Sequence, residues 1–191
     1  PKEPIPDRIQ FLDKVMKLSV SGQHSLLASE LPKPAMLDLL LESTPPLERQ
    51  RALVAVARAL EAAGDLDGAF LRARQARALK GEAGPAREVL LRVSLARPGP
   101  ARLDEIYPIA KELRTDWRDE HAPIVVRALE LGISRPTLSM RLLGQVWELL
   151  DVFRKFDEIA EPFAEAVSAQ VAKQPERADL LTLVARLRAA Q

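Results

Sequence analysis

The sequence predicts an all-α protein, and three observations carry that prediction. Apolar residues recur at helical spacing, proline cuts the chain into pieces of helix length, and strict apolar–polar alternation of the strand kind is almost absent. The chain has 191 residues, 47% hydrophobic and 29% charged. That composition lies far from the low-hydrophobicity, high-net-charge corner of disordered chains and supports a buried core.

The first helix is expected over 7–18, where Ile9, Leu12, Val15 and Met16 share a face ahead of the Ser-Val-Ser-Gly break at 19–22. Two shorter helices follow, at 23–31 and 34–42, each opened or closed by proline. Thr44, Pro45 and Pro46 end this N-terminal helical segment, taken as 1–46. From there the pattern repeats. Leu53, Val56, Ala57 and Leu60 lie on one face of a helix that stops at Ala63-Gly64, and a second helix opens at Asp67 with Ala69, Ala73 and Ala76. Small residues at those positions let two helices approach closely.

The run Gly64-Asp65-Leu66-Asp67-Gly68-Ala69 resembles the turn of a tetratricopeptide repeat, in which glycine supplies the left-handed helix stop and alanine sits where the paired helices cross. Taking Gly64 as that glycine, Leu53, Val56, Ala57, Leu60, Ala69, Ala73 and Ala76 fall on the family's large, large, small, large, small, large and small positions. Ala57 and Ala73 are the weaker matches. A second such turn runs from Phe153 to Glu158, with Leu143, Val146 and Leu150 before it and Phe163 and Ala166 after it. It departs from the family at Arg154, where glycine is preferred, and at Trp147, where a small residue is. Leu90, Val93 and Ser94, then Leu103-Asp104-Glu105-Ile106 with Ala110 and Leu113, fit a third copy interrupted at Pro98-Gly99-Pro100. Residues 175–178 followed by Leu181, Val184 and Ala185 resemble the first helix of a further repeat, a cap on the last pair. The turns are spaced more widely than the regular period of about 34 residues, which calls for an extra helix near 119–131.

The resemblance implies a right-handed α-solenoid of stacked antiparallel helix pairs over 47–191. Its first helices would line a concave groove that binds an extended segment or a partner helix. The exposed groove positions would be Arg51, Val54, Arg58 and Glu61 in the first copy and Glu88, Leu91 and Arg92 in the next. Positive residues outnumber negative ones from 48 to 102, including Arg72, Arg74, Arg77, Lys80, Arg87 and Arg97, and arginine's planar fork suits carboxylate or phosphate. The same charges would equally serve as solvated helix faces. The lysine and asparagine clamp with which some family members hold a chain-terminal carboxylate is not present, so that ligand is not carried over. The implied role is a non-enzymatic interaction or assembly module, an adaptor or scaffold for a protein or peptide partner. A homodimer would use the same kind of surface.

A second motif competes. Residues 128–142 resemble a DNA-binding helix-turn-helix, with Ala128, Gly132 and Leu138 at its spacing, inside a possible module at 122–143. In that reading Ser134 caps the second helix, Pro136 sits in its first turn, and Arg135, Thr137, Ser139 and Arg141 face the major groove. Asp119, Glu120, Glu130 and Glu148 dilute the positive field that phosphate contacts need. The formal net charge of +1 gives no general drive towards nucleic acid or an anionic membrane.

An enzyme is not expected. The two histidines, His24 and His121, are far apart in sequence, and no phosphate loop, nucleophile elbow or metal-ligand motif occurs. No catalytic residue, cofactor or metal is assigned. Acidic pairs such as Asp104-Glu105 and Asp157-Glu158 fall at repeat turns, where helix N-termini favour acids. The sequence has no cysteine, which removes disulfides and thiolate chemistry. It shows neither a membrane-spanning run of roughly 18 apolar residues nor a signal-peptide core in residues 1–7, so a cytoplasmic protein is expected. Tyr107, Trp117 and Trp147 are assigned to the core.

Overall fold

The computed structural model describes residues 5–81, 83–97, 103–136, 138–153 and 157–189, and the described elements are helical throughout. The chain forms two compact units, Pro1–Arg97 and Pro98–Gln191. This division differs from the boundary drawn at 46/47. The three helices of 5–42 belong with those of 46–96, because each of the three packs on the helix Pro46–Ala62.

In the first unit α1 (Ile5–Val20) turns at Gly22, whose φ of 70° is left-handed, into the short α2 (His24–Ser29). Helix α3 (Pro34–Glu42) starts on a proline, as does α4 (Pro46–Ala62); α5 (Leu66–Ala78) and α6 (Gly84–Ala96) complete the unit. The helix boundaries follow the proline and glycine punctuation. Gly64, at φ 82°, stops α4, and the Asp65 carboxylate accepts from the Gly68 N–H at 2.9 Å to cap α5. Ala57 and Ala73, the weaker repeat matches, are both fully buried, as are Ala69 and Ala76.

Helix α4 is the centre of this unit. Residues 52–57 and Ala59 are all buried, and α1, α2, α3, α5 and α6 each pack on it. The apolar run 52–57 covers more than one full turn, so the middle of α4 is interior while its charged residues lie towards its two ends. Polar ties hold its N-terminal end. Arg49 donates to the carbonyls of Glu42 (2.8 Å) and Thr44 (2.9 and 3.1 Å), and buried Gln50 donates to the carbonyl of Ala76 at 3.1 Å.

The second unit contains α7 (Leu103–Glu112), two 3-10 turns (Leu113–Asp116 and Asp119–His121), α8 (Ala122–Ile133), α9 (Met140–Phe153), α10 (Asp157–Lys173) and α11 (Ala178–Ala189). The extra helix expected near 119–131 is the second 3-10 turn continued by α8. Helix α10 packs chiefly on α8, then on α11, and only lightly on α9. The α9–α10 pairing expected about 153–158 is therefore not the main packing of α10; residues 154–156 of that turn lie outside the described residues, as do Pro98-Gly99-Pro100 of the third copy. The two halves expected for that third copy, α6 and α7, belong to different units.

Helix α11 carries a correction. Leu181 is exposed, and the buried side chains are Leu180 and Leu183, one position away from the stripe read in sequence. Arg177 supplies the reason. This residue is 8% exposed and donates to the carbonyls of Ile133 (3.1 Å) and Arg135 (2.7 Å), to Gln174 Oε1 (3.1 Å) and to both carboxylate oxygens of Asp179 (3.1 and 2.5 Å). Asp179 in turn accepts from the Leu138 N–H at 3.2 Å. One guanidinium thus pins the end of α8 to the start of α11 and sets the rotation of α11. Tyr107 is buried as expected, packed where Gly132 on α8 has no Cβ. Trp117 is half-buried against the rings of His121 and Phe153, with centroids 5.7 and 5.0 Å away, and Trp147 lies half-buried beneath the Arg186 guanidinium.

Among the described residues no helix is long and apolar enough to cross a membrane.

Two outcomes follow for the second unit. Arg177→Ala should cost about 2–3 kcal/mol, because it leaves the part-buried Asp179 carboxylate and the carbonyls of Ile133 and Arg135 without their partner; a urea melt followed by Trp117 and Trp147 fluorescence measures this. Arg177 also holds the Asp179 carboxyl below its ordinary 3.8. Its contribution is therefore complete above about pH 4 and is lost as the pH falls through the lowered value, an acid-dependent loss that Arg177→Ala should abolish. Gly132→Ala should destabilise the same unit by about 1–3 kcal/mol, since the new methyl meets the Tyr107 hydroxyl; Tyr107→Phe in the same chain should recover part of that loss in the same melt.

Candidate functional site

The site is built where the last turns of α4 face the first turns of α6. Spacing puts Arg58 and Glu61 on one face of α4, and Glu88 and Arg92, four apart, on one face of α6. Arg92 grips Glu61 with two parallel bonds, Nε to Oε1 at 2.5 Å and Nη2 to Oε2 at 2.6 Å, and reaches Glu88 Oε1 through Nη1 at 2.7 Å. Arg58 Nη2 meets Glu88 Oε2 at 3.5 Å. The Glu88 side chain is 11% exposed and sits between the two guanidiniums. The Glu61 hydrogen bonds, opposed by burial and helped by the charges of Glu61 and Glu88, raise the Arg92 pKa further. Two positive and two negative groups thus form a closed quartet, and fork-to-fork pairing is the strong form of such contacts.

Helix α2 brings His24 to the quartet. Burial, then the charges of Arg58 and Arg92, push the imidazole below its ordinary 6.5, against an opposing pull from Glu61. Its Nδ1 is enclosed and has no hydrogen-bond partner. The potential at this ring is net positive, since two guanidiniums outweigh the carboxylate there.

These positions revise the groove expected from sequence. Val54 is 8% exposed and Leu91 fully buried, so neither lines an open groove. They are interior because α4 is covered by α1 and α2 and α6 packs on α5 and α4. Arg58, Glu61 and Arg92, expected as open groove positions, pair with one another and with Glu88. Arg51 is exposed on α4. The basic run is partly neutralised as well. Arg72 is buried against Asp38 at 2.5 Å, and Arg97 pairs with Asp67 at 2.6 Å while lying over the Phe70 ring. A cleft of about 260 Å³ lies between α3, α4 and α5, floored by Leu41, Leu53 and Leu79, with Asp38, Arg49 and Arg72 among its lining. It is smaller than the roughly 300–1,000 Å³ of ordinary small-molecule sites.

The helix-turn-helix residues are placed differently from expectation. Helix α8 runs through Gly132 to Ile133, and the Ser134 hydroxyl donates back to the Leu131 carbonyl at 3.0 Å, closing α8 instead of opening the next helix. Helix α9 begins at Met140, and its first turn is capped by Ser139, whose hydroxyl accepts from the Leu142 N–H at 3.3 Å. Arg135 and Pro136 therefore lie in a connection, Arg141 alone of the four proposed base readers is on the helix, and Thr137 lies outside the described residues. Arg177 holds the connection by bonding the carbonyls of Ile133 and Arg135.

Sequence reasoning missed the part played by α1 and α2. The signal available was the pair Leu26-Leu27 in a helix too short to stand alone, which has to find a neighbour. Glu88 and Arg92 were legible as a helical ion pair, but their partners on α4 were not.

Acidification should loosen α2. With the folded pKa of His24 below 6.5, docking with a neutral ring is fully favoured above about pH 6.5 and weakens as the pH falls from there through the lowered value. Hydrogen exchange at Leu27, whose N–H bonds the Gln23 carbonyl at 3.1 Å, should therefore speed up relative to α5 between pH 7.5 and 5.5, after correction for intrinsic rates, and His24→Gln should remove that difference.

Comparison with models of known protein families, with curated proteins and with solved structures finds no match to this chain.

Proposed function

We propose that this chain is a non-enzymatic interaction module, built at least in part from tetratricopeptide-like helix pairs, that holds a helix or peptide segment of a protein partner. The observation that carries the reading is the seating of α2 on α4. A short helix with one buried leucine, Leu27, lies on the first helix of a pair whose turn has its glycine at Gly64 and its alanines at the crossing. This seating resembles the helix-in-groove mode of recognition and supports the reading for that reason. The stack of α4, α5 and α6 supports it by providing a firm face, because the middle of α4, residues 52–57 and Ala59, is buried.

The test is a selection of displayed 15-residue peptides against the full-length protein, with enriched sequences measured by fluorescence anisotropy. Enriched peptides should share apolar residues at i, i+3 or i+4 and compete with one another for the protein. Enrichment no better than for scrambled sequences would count against an interaction module. Arg51→Glu should change the charge preference of the selected peptides while leaving the fold intact, because Arg51 is exposed on α4.

A further inference from the structure

The cleft between α3, α4 and α5 is lined by charges that the first unit does not use up. Helical spacing turns one face of each helix into it: Asp38 and Glu42 on α3, Arg49 and Leu53 on α4, and Arg72, Gln75 and Leu79 on α5. Arg49 is held by backbone alone. Its Nε and Nη2 donate to the carbonyls of Thr44 and Glu42, its Nη1 makes no bond, and it forms no ion pair among the described residues. The Glu42 carboxylate, at the exposed end of α3, likewise has no partner among the described residues. One cation and one anion thus line the same cleft without neutralising each other.

A second, deeper pair lies beside them. Arg72 is 6% exposed, and its Nη1 carries both of its bonds, to Asp38 Oδ1 at 2.5 Å and to Gln75 Oε1 at 3.1 Å. Its Nε and Nη2 make no bond among the described residues, and Asp38, half exposed, keeps its other oxygen. A buried guanidinium carries five donors, and the cleft that Arg72 lines is where acceptors for the remaining ones can reach it. The floor is apolar, with Leu41 and Leu53 each 3% exposed and Leu79 beside them. The volume of about 260 Å³ has room for roughly nine heavy atoms at about 30 Å³ each.

We propose that this cleft binds a free α-amino acid with an aliphatic side chain of leucine size. Such a molecule carries an anion, a cation and an apolar branch on one carbon, and the lining offers a match for each. The carboxylate takes the unused donors of Arg49 and Arg72 as charge-assisted bonds. The ammonium takes the Glu42 carboxylate and the free oxygen of Asp38, and the branch lies on Leu41, Leu53 and Leu79. A simple anion fits less well, because it would meet Asp38 and Glu42 with nothing to offset them, and like charges brought together are costly. Charge balance in the lining therefore selects a zwitterion, and the size of the cleft selects a small one. The site goes beyond the peptide-binding reading and stands or falls without it.

The experiment is a titration of the full-length, isotope-labelled chain followed by backbone amide NMR shifts, with L-leucine, isocaproate, which lacks the ammonium, and isoamylamine, which lacks the carboxylate. Leucine should move amides in 38–42, 49–53 and 72–79, and should bind about ten-fold more tightly than either analogue, as the loss of one charge-assisted contact requires. Glycine, without a branch for the leucine floor, should bind more weakly still. Glu42→Gln changes an exposed side chain and should weaken leucine about ten-fold while leaving isocaproate unchanged. Arg49→Gln should weaken leucine and isocaproate alike; since Arg49 also ties α3 to α4, a melt checks that this variant folds, and Glu42→Gln decides the matter if it does not. No shifts with leucine up to about 10 mM, or shifts confined to other residues, would overturn the site. Isocaproate or isoamylamine binding as tightly as leucine, or leucine binding unchanged in Glu42→Gln, would overturn the amino acid as its ligand.

Discussion

Burial of the middle of α4, residues 52–57 and Ala59, is the constraint from which the first unit follows. Ala52, Ala55, Ala57 and Ala59 shorten the distance at which neighbouring helices can pass, while Leu53, Val54 and Val56 fill the space between them. Interiors are packed as densely as organic crystals, so small residues on one helix oblige its neighbours to come close. Ala69, Ala73 and Ala76 on α5 meet that demand. The charged end of α4 cannot be hydrated freely in such surroundings. Arg58 and Glu61 are satisfied by Glu88 and Arg92 of α6, and the quartet follows from the same close approach that makes the core.

The second unit solves a different problem with one side chain. Its helices end where carbonyls of α8 and the start of α11 converge, and buried helix ends need partners. Arg177 supplies several donors from one planar group and Asp179 balances its charge, so the rotation of α11 is set by hydrogen bonds as much as by apolar contact. Gly132 is part of the same economy of space. Its missing side chain admits the Tyr107 ring from α7 to α8, a packing role rather than the opening of a turn.

Packing in the first unit is unevenly distributed. Helices α4 and α5 share extensive contact and close packing, whereas α2 contributes six residues, one buried leucine and an unmatched nitrogen. A firm face beneath a loosely held cover is the arrangement in which one segment can be exchanged for another at small cost to the rest. The closed quartet matters here too. Its mutual pairing leaves little net charge to draw in nonspecific anions.

The helices themselves were legible in the sequence because their signals are local. Pro34 and Pro46 fix helix starts, Gly64 fixes a stop, and the periodic leucines, valines and alanines of 52–76 state which faces turn inward. The same local signals led the groove reading astray at Val54 and Leu91, since periodicity says that a residue is apolar but not that α1 and α2 return to cover it. The stripe on α11 was misread by one position because Arg177, two helices away from the carbonyls it binds, sets the rotation. Arg135 and Ser139 were read onto a helix because a serine before a proline is as good a start signal as Ser139 before α9, and the bonds from Arg177 that hold 133–135 as a connection span more than forty residues. The sequence by itself determined an all-helical chain, most helix boundaries and the small-residue crossing of α4 and α5. Only the tertiary structure decided which helix covers α4, which charges pair and how the last helix is turned, because those depend on contacts between residues that no local pattern brings together.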